Sequence, residues 1–232
     1  MKNYLIIGAS SGIGKQLTEL LAFSGNKIYG TFHKQAVEEN NPLIEFHALN
    51  VLDNEIKFDY LPEILDGLVY CPGSISLKPF QRIKPEEFLS DYQLQLVGAV
   101  KCIQAVLPIL KKSESSSIVL FSSVAVQQGF NYHSVIAASK GAIEGLTRSL
   151  AAEFAPKIRV NCIAPSLTDT PLASQLLNTD EKRTANALRH PMKRIGQASD
   201  IANMAEFLLS EKSTWITGQI FNVDGGISSL KI

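Results

Sequence analysis

The chain has 232 residues, 45% of them hydrophobic, and 22 Lys+Arg stand against 22 Asp+Glu. That length suits one sizeable α/β core. Zero net charge with no long basic run excludes the electrostatic footprint of a nucleic-acid binder and of a protein drawn to anionic membranes. Cys71, Cys102 and Cys162 are far apart, lack metal-ligand spacing and sit among apolar residues. They read as buried free thiols in a reducing cytoplasm, with no metal site. The N-terminal "KNYLIIG" begins a strand at once, without signal-peptide architecture, and no apolar run is read as reaching membrane-spanning length.

Taken in chain order, the strand candidates are "YLIIG", "KIYGTF", "IEFHAL", "DGLVYC", "SIVLFSS", "IRVNCIA" and "QIFNV". Their apolar residues are consecutive, not alternating, as in strands covered by helices on both faces. Between them lie "GKQLTELLAFSG", closed by Gly25, then the long "PEEFLSDYQLQLVGAVKCIQAVLPILKK", which Pro108 is expected to bend, and "SVIAASKGAIEGLTRSLAAEFA". The serine-rich 111–117 reads as a loop. A β-α-β alternation without linker or repeat predicts a single Rossmann-type domain over 1–232, with a seven-stranded, parallel, doubly wound sheet.

"LIIGASSGIGKQL" is a strand, a glycine-rich turn and a helix start. Gly8 allows the tight turn, Gly12 lets backbone approach a phosphate, and Gly14 lets helix pack on strand. The helix N-terminus then offers N–H groups and a positive dipole end to a pyrophosphate. Such a turn alone is weak evidence; after the first strand of a β-α-β chain it is much stronger.

The spacing Gly-x-x-x-Gly-x-Gly, with "LVYCPG" (68–73), "IVLFSSVA" (118–125), "ASKGAIEGLTRSLAAEFAP" (138–156), "IRVNCIAPSLTDTP" (158–171) and "WITGQIFNVDGG" (215–226), resembles the short-chain dehydrogenase/reductase superfamily, close to the 3-oxoacyl-carrier-protein reductases. The resemblance covers the whole chain and implies a nicotinamide cofactor. It puts cofactor contacts at Gly8, Ser10, Ser11, Gly12, Ile13 and Gly14, at Asn50 and Val51, at Gly73, at Lys140, and at Pro165, Thr168 and Thr170. After the second strand, "YGTFHKQ" has no acid for the ribose hydroxyls. His33 and Lys34 stand there instead, which favours NADP, with NAD the alternative. Asn50 replaces the usual aspartate at the adenine and can still accept from its amino group. Ser166 replaces a glycine beside Pro165, where the backbone is expected to be less free.

Carbonyl reduction needs a polarised oxygen and a proton as charge develops. The resemblance implies a serine, a tyrosine, a lysine and an asparagine for this. By motif position these are Ser123, Ile136, Lys140 and Gln95. An aliphatic side chain at Ile136 cannot donate a proton. Three readings remain open. A neighbour substitutes: Tyr132 or His133, which share the face of Ile136 and Lys140 if the helix starts early with Asn131 as its cap, one turn or roughly 6 Å away. His133 is the better candidate, since imidazole titrates near neutrality, and the stretch also resembles a divergent subgroup with histidine at this offset. Alternatively, Lys140 and Ser123 act through water. Or there is no reduction, and the chain is a silent nucleotide-binding or scaffolding protein.

The segment 168–196 lies where the family keeps a lid. Its leucines, with Val124, Val126 and Phe130, would line a mainly apolar pocket for a carbonyl or alcohol of moderate size. Gly141, Gly145 and Ser149 recur at helical spacing, and the resemblance implies a homodimer or homotetramer through this region.

Overall fold

Consecutive apolar residues along a strand put hydrocarbon on both of its faces, and the computed structural model, which describes residues 1–34 and 36–231, buries both. The strands and helices run in chain order as β1 (Asn3–Ile7), α1 (Gly12–Phe23), β2 (Lys27–Phe32), β3 (Ile44–Ala48), β4 (Gly67–Tyr70), α2 (Pro85–Tyr92), α3 (Gly98–Leu110), β5 (Ser116–Phe121), α4 (Ser134–Phe154), β6 (Ile158–Pro165), β7 (Thr168–Asp169), α5 (Asp180–Leu188), β8 (Gly196–Gln197), α6 (Ala198–Leu209) and β9 (Ile220–Val223). Seven strands form one parallel sheet in the order β3-β2-β1-β4-β5-β6-β9, while β7 and β8 make a separate two-stranded pair. This is the single-domain Rossmann-type sheet expected from the sequence.

The period-2 pleat divides the core. Leu5 and Ile7 of β1 join Leu68, Tyr70, Ile118 and Leu120 against α3 and α4. Tyr4 and Ile6 face the other way, with Val69, Val119 and Ile163, against α1 and α6. Fully burying such side chains stabilises by roughly 1.5–3 kcal/mol each before entropy is counted. The order reverses between β1 and β4, which are paired in register from Tyr4↔Gly67 to Ile7↔Tyr70. Ligands of open α/β sheets bind outside the strand C-termini at such a switch point, and Gly8, Gly73 and Ser123 all follow strands that end there.

Several expectations need amending. The segment Pro85–Leu110 is long and apolar enough, by length and composition, to cross a membrane. The polar residues of its first half hide this in the sequence. Here Ala99, Cys102, Ile103, Val106 and Leu110 bury against the sheet. Pro108 lies inside α3 close to its end, and the irregularity of this segment lies earlier, in a π-helical turn at Gln93–Val97. The serine loop is shorter than expected. Ser116 and Ser117 already belong to β5 and are fully buried, because their hydroxyls donate to Leu110 O (3.0 Å) and Leu208 O (2.8 Å). Helix α6 was not anticipated, although Ile201, Ala202, Ala205, Leu208 and Leu209 have the helical apolar period and Asp200 completes a capping box with Gln197.

The π turn has an identifiable cause. The Gly98 N–H bonds Gln93 O, one residue beyond the α-helical partner. That frees the Leu94 carbonyl, which accepts the Tyr70 hydroxyl at 2.5 Å. A Cβ on Gly98 would overlap that same hydroxyl. We expect Gly98→Ala to destabilise the fold by about 1–3 kcal/mol. Tyr70→Phe alone should lose about 1–3 kcal/mol through the unsatisfied carbonyl. The double variant should lose clearly less than the sum, because the atom that clashes is gone. Urea midpoints of the four proteins test this; simple additivity would refute the shared site.

Candidate active site

Two adjoining hollows lie at the C-terminal edge of the sheet. One, of about 440 Å³, runs from the glycine turn to the end of β2 and is lined by Gly8, Ser10, Ser11, Gly12, Ile13, His33, Asn50, Val51, Gly73 and Thr170. The other, of about 290 Å³, is lined by Gln95, Ser123, His133, Ile136, Lys140, Pro165 and Thr168, among others. They share Ile13, Cys71, Gly73, Thr170 and Leu172 and so form one crevice.

The glycine turn is built as its spacing demands. Gly8 (φ +79°) and Gly12 (φ +54°) occupy the left-handed region that side chains disfavour. Gly14 does not line the crevice; a Cβ there would overlap the Gly8 carbonyl, so its role is the close approach of α1 to β1. Helix α1 opens at the turn after Ser11, whose side chain makes no cap, which leaves the first N–H groups without a side-chain acceptor. His33 lines the far end, whereas Lys34 is exposed and lies off the lining. The lining of this hollow includes no carboxylate. Asn50 is already engaged: its Oδ1 accepts from Leu52 N (3.1 Å) and its Nδ2 donates to Asp53 Oδ1 (2.7 Å). An adenine would use the second lone pair of that oxygen.

The inner cavity is organised around Lys140. Its pKa is pushed down to about 8, chiefly by burial, against the opposing pull of Cys162, Asp91 and Cys71. Burial also pushes the Cys71, Cys102 and Cys162 thiols up to about 12, which keeps them protonated. The π turn carries Gln95 inward. Its Nε2 donates to Asp91 Oδ2 at 2.7 Å, and its buried Oε1 has no partner. Asp91, which the sequence reading missed, also accepts from the Ser74 hydroxyl and is buried. A Cβ on Gly73 would lie 3.5 Å from Gln95 Oε1 and 3.8 Å from Lys140 Nζ. Amide oxygen and ammonium therefore flank one point, and Gly73 keeps it open. Ser123 caps a 3₁₀ turn and accepts from Ala125 N at 3.2 Å. The neighbouring Ser122 hydroxyl donates to Glu144 Oε1 of α4 at 2.8 Å, which fixes the end of β5 against the helix that holds Lys140.

Helix α4 does not start early. Its N-cap is His133, and Asn131 and Tyr132 lie outside the helix. Tyr132 has φ +71°, is exposed and does not line the cavity, so the expected helical sharing of a face fails for it. His133 does line the cavity, beside Ile136. Its Nδ1 lies 2.7 Å from Asn131 O. A carbonyl only accepts, so Nδ1 carries hydrogen, and Nε2 is the nitrogen that can take up and release a proton.

The apolar wall comprises Val124, Phe130, Leu167, Leu172 and Leu176. Val126 is absent from it and packs 3.7 Å from where a Gly141 Cβ would stand. Ser166 causes no strain, since its φ is not positive. Its hydroxyl donates to His190 Nε2 (2.8 Å), and His190 Nδ1 donates to Asn186 O (2.8 Å). The buried His190, missed in the sequence, so ties the β6–β7 segment to the end of α5.

Fold and site together define the class. A profile described as enoyl-(acyl carrier protein) reductase matches residues 8–228. The chain belongs to the short-chain dehydrogenase/reductase family of NAD(P)-dependent oxidoreductases, whose members bind small-molecule substrates. It is 33% identical over 243 aligned positions to a 3-oxoacyl-[acyl-carrier-protein] reductase of Thermotoga maritima, covering 96% of each chain. It is 32% identical to a tropinone reductase homologue of Arabidopsis thaliana, with 97% and 92% covered. Among solved structures, ElxO with NADP bound superimposes with a TM-score of 0.87 at 27% identity, over 99% of both chains. Ligand-free aldohexose dehydrogenase of Thermoplasma acidophilum gives 0.88 at 26% identity, with 99% and 95% covered.

The buried ammonium makes a pH prediction. Below about pH 8 Lys140 holds its proton folded and unfolded, and burial then counts against the fold. Between about 8 and the unfolded value near 10.4, only the unfolded state holds the proton, so this contribution to stability rises with pH. Lys140→Met should therefore be more stable than the parent at pH 7. Between about pH 7 and pH 10 the gap should narrow by on the order of 2 kcal/mol. Denaturant unfolding of both proteins without cofactor measures it; a gap independent of pH would refute the depressed pKa.

Proposed function

We propose that the chain reduces the carbonyl of a small molecule with NADPH, with His133 in the part that the family gives to its tyrosine and Ile136 filling the tyrosine's position. The observation that carries this reading is the single crevice that joins the glycine turn to a cavity holding Ser123, Lys140 and His133. Its residues fit a dinucleotide: a turn with glycines at positive φ, a helix N-terminus, and a Gly73 hollow between Lys140 Nζ and Gln95 Oε1. The cofactor supplies the hydride. Gly8, Gly12, Ser10, Ser11 and Ile13 would hold its phosphates, Asn50 and Val51 its adenine, and Thr168 and Thr170 its carboxamide. Lys140 would bind its ribose, with Gln95 behind. His33 at the far end, with Lys34 beyond the lining and no acid in it, supports NADP over NAD.

On the substrate, Ser123 orients and polarises the carbonyl oxygen. The imidazolium of His133 gives its Nε2 proton to that oxygen, and the neutral ring keeps its Nδ1–H on Asn131 O. Ile136 contributes only hydrocarbon to the wall. A cytoplasmic setting fits the free cysteines. Association through α4 fits the same reading, because Gly145 has nothing within 4 Å of where its Cβ would stand and Ser149 is exposed. Light scattering at micromolar concentration should give a dimer or tetramer, and a monomer would contradict it.

The catalytic assignment is tested by following NADPH and NADH consumption with a panel of ketones. NADPH should be preferred. His133→Ala should lose about a hundredfold or more in turnover, the usual scale for a general acid, while Tyr132→Phe should keep it. Full activity in His133→Ala overturns the assignment. A parent that is inactive on every ketone, with turnover appearing only in Ile136→Tyr, would make the chain a silent nucleotide-binding protein instead.

A further inference from the structure

We propose that the outer end of the inner cavity is an anion site built on Arg189, and that the carbonyl substrate carries a carboxylate which this arginine holds. The proposal rests on the reductase reading above and adds the substrate class to it. Its first support is the sign of the lining. On a chain with zero net charge, the cations that line this cavity are Lys140 and Arg189, beside His133, the neutral His190 and the Cys71 thiol, with no Asp or Glu among the described lining residues. A cleft lined by one sign of charge between low-dielectric walls concentrates ligands of the opposite sign.

The second support is the state of Arg189 itself. The other two arginines of the lid region are occupied. Arg183 is paired with Asp169 at 2.7 Å, and Arg194 is paired with Asp200 at 2.5 Å. Arg189 forms no such pair among the described residues. Its one side-chain hydrogen bond among the described residues is Nη1 to Asn186 Oδ1 at 3.3 Å, a neutral group that leaves most of the guanidinium's five donors free. It is exposed, and an aromatic ring lies within cation–π reach. Its guanidinium carbon stands 5.6 Å over the Phe130 ring, and Phe130 lies 5.5 Å from the His133 ring. A cation over an aromatic face is attracted to the ring while its N–H groups stay available. A planar, unpaired fork matches a carboxylate, which can accept two parallel bonds from it.

The same cavity, which Ser123 also lines, has a largely hydrocarbon wall that includes Val124, Leu172 and Leu176. A substrate that fits both ends therefore has a carbonyl, an apolar spacer and a terminal carboxylate. It is an oxo acid, reduced here to the corresponding hydroxy acid: hydride adds to the carbonyl carbon, a proton adds to its oxygen, and the carboxylate is unchanged.

The test separates binding from turnover. Protein saturated with NADP is titrated calorimetrically with acetoacetate, levulinate and longer straight-chain oxo acids, each beside its methyl ester. For the best chain length the acid should bind about tenfold or more tightly than its ester, the scale of a charge-assisted pair. Raising ionic strength should shrink that preference, and Arg189→Leu should erase it. Acids and esters that bind alike, acids that do not bind at any length, or a preference that survives Arg189→Leu would each overturn the anion site. NADPH consumption with the same compounds reports on the reductase reading alone. Acids that bind with the preference but are never reduced would sustain the anion site and remove the reductase reading. Neutral ketones reduced as well as the acids, with Arg189→Leu indifferent, would do the reverse.

Discussion

The geometry of the active centre depends on one peptide carbonyl, that of Leu94, being released from its helix and met by the phenol of Tyr70. In water a freed carbonyl is harmless. Buried beside the sheet it would cost about 1–3 kcal/mol unless paired, so the π turn can exist only where a donor reaches it. Tyr70 is the last residue of a central strand and is itself buried, which raises its pKa well above the ordinary phenol value and keeps it a donor. Gly98 supplies the space. From this one contact follow the inward swing of Gln95, its bond to Asp91, and the unpaired amide oxygen near Lys140. π turns are often found at functional sites, and here the reason is visible: the extra residue rotates an amide into a place that a regular helix would turn away.

Lys140 shows the same principle from the side of charge. An ammonium removed from water is costly unless something compensates, and in the protein alone the compensation is partial, as its lowered pKa records. The opposing pull that acts at neutral pH comes from Asp91, since burial keeps the Cys71 and Cys162 thiols neutral. A ligand that accepts hydrogen bonds from this group gains from what the fold leaves undone.

Most of the scaffold could be read from the sequence, because its signals are local and redundant. Consecutive apolar strands, glycines at defined spacing and alternating helices each point to the same sheet. β2 matches its anticipated bounds, and Gly14 packs as its spacing required. The parts that escaped depend on contacts between residues distant in sequence. No local pattern announces that Tyr70 will reach Leu94 or that His190 will accept from Ser166. The start of α4 was misjudged for a related reason. Asn131 is a good capping residue, but Tyr132 adopts a left-handed conformation and the helix begins only after His133. Helix α6 carries local signals of its own, an apolar period and a capping box.

The position of His133 at the N-cap of α4, with Lys140 two turns further in, gives the two ends of the site unequal local stability. Lys140 lies in the interior of a long helix packed on the sheet, where backbone amides open only with much of the fold. His133 sits on the first, non-helical residue, next to a left-handed tyrosine, where amides exchange by fraying. Lys140 is therefore fixed to a layer of the protein that opens only with the core. The imidazole rides on the helix end, and it can shift without disturbing the helix interior that carries Lys140.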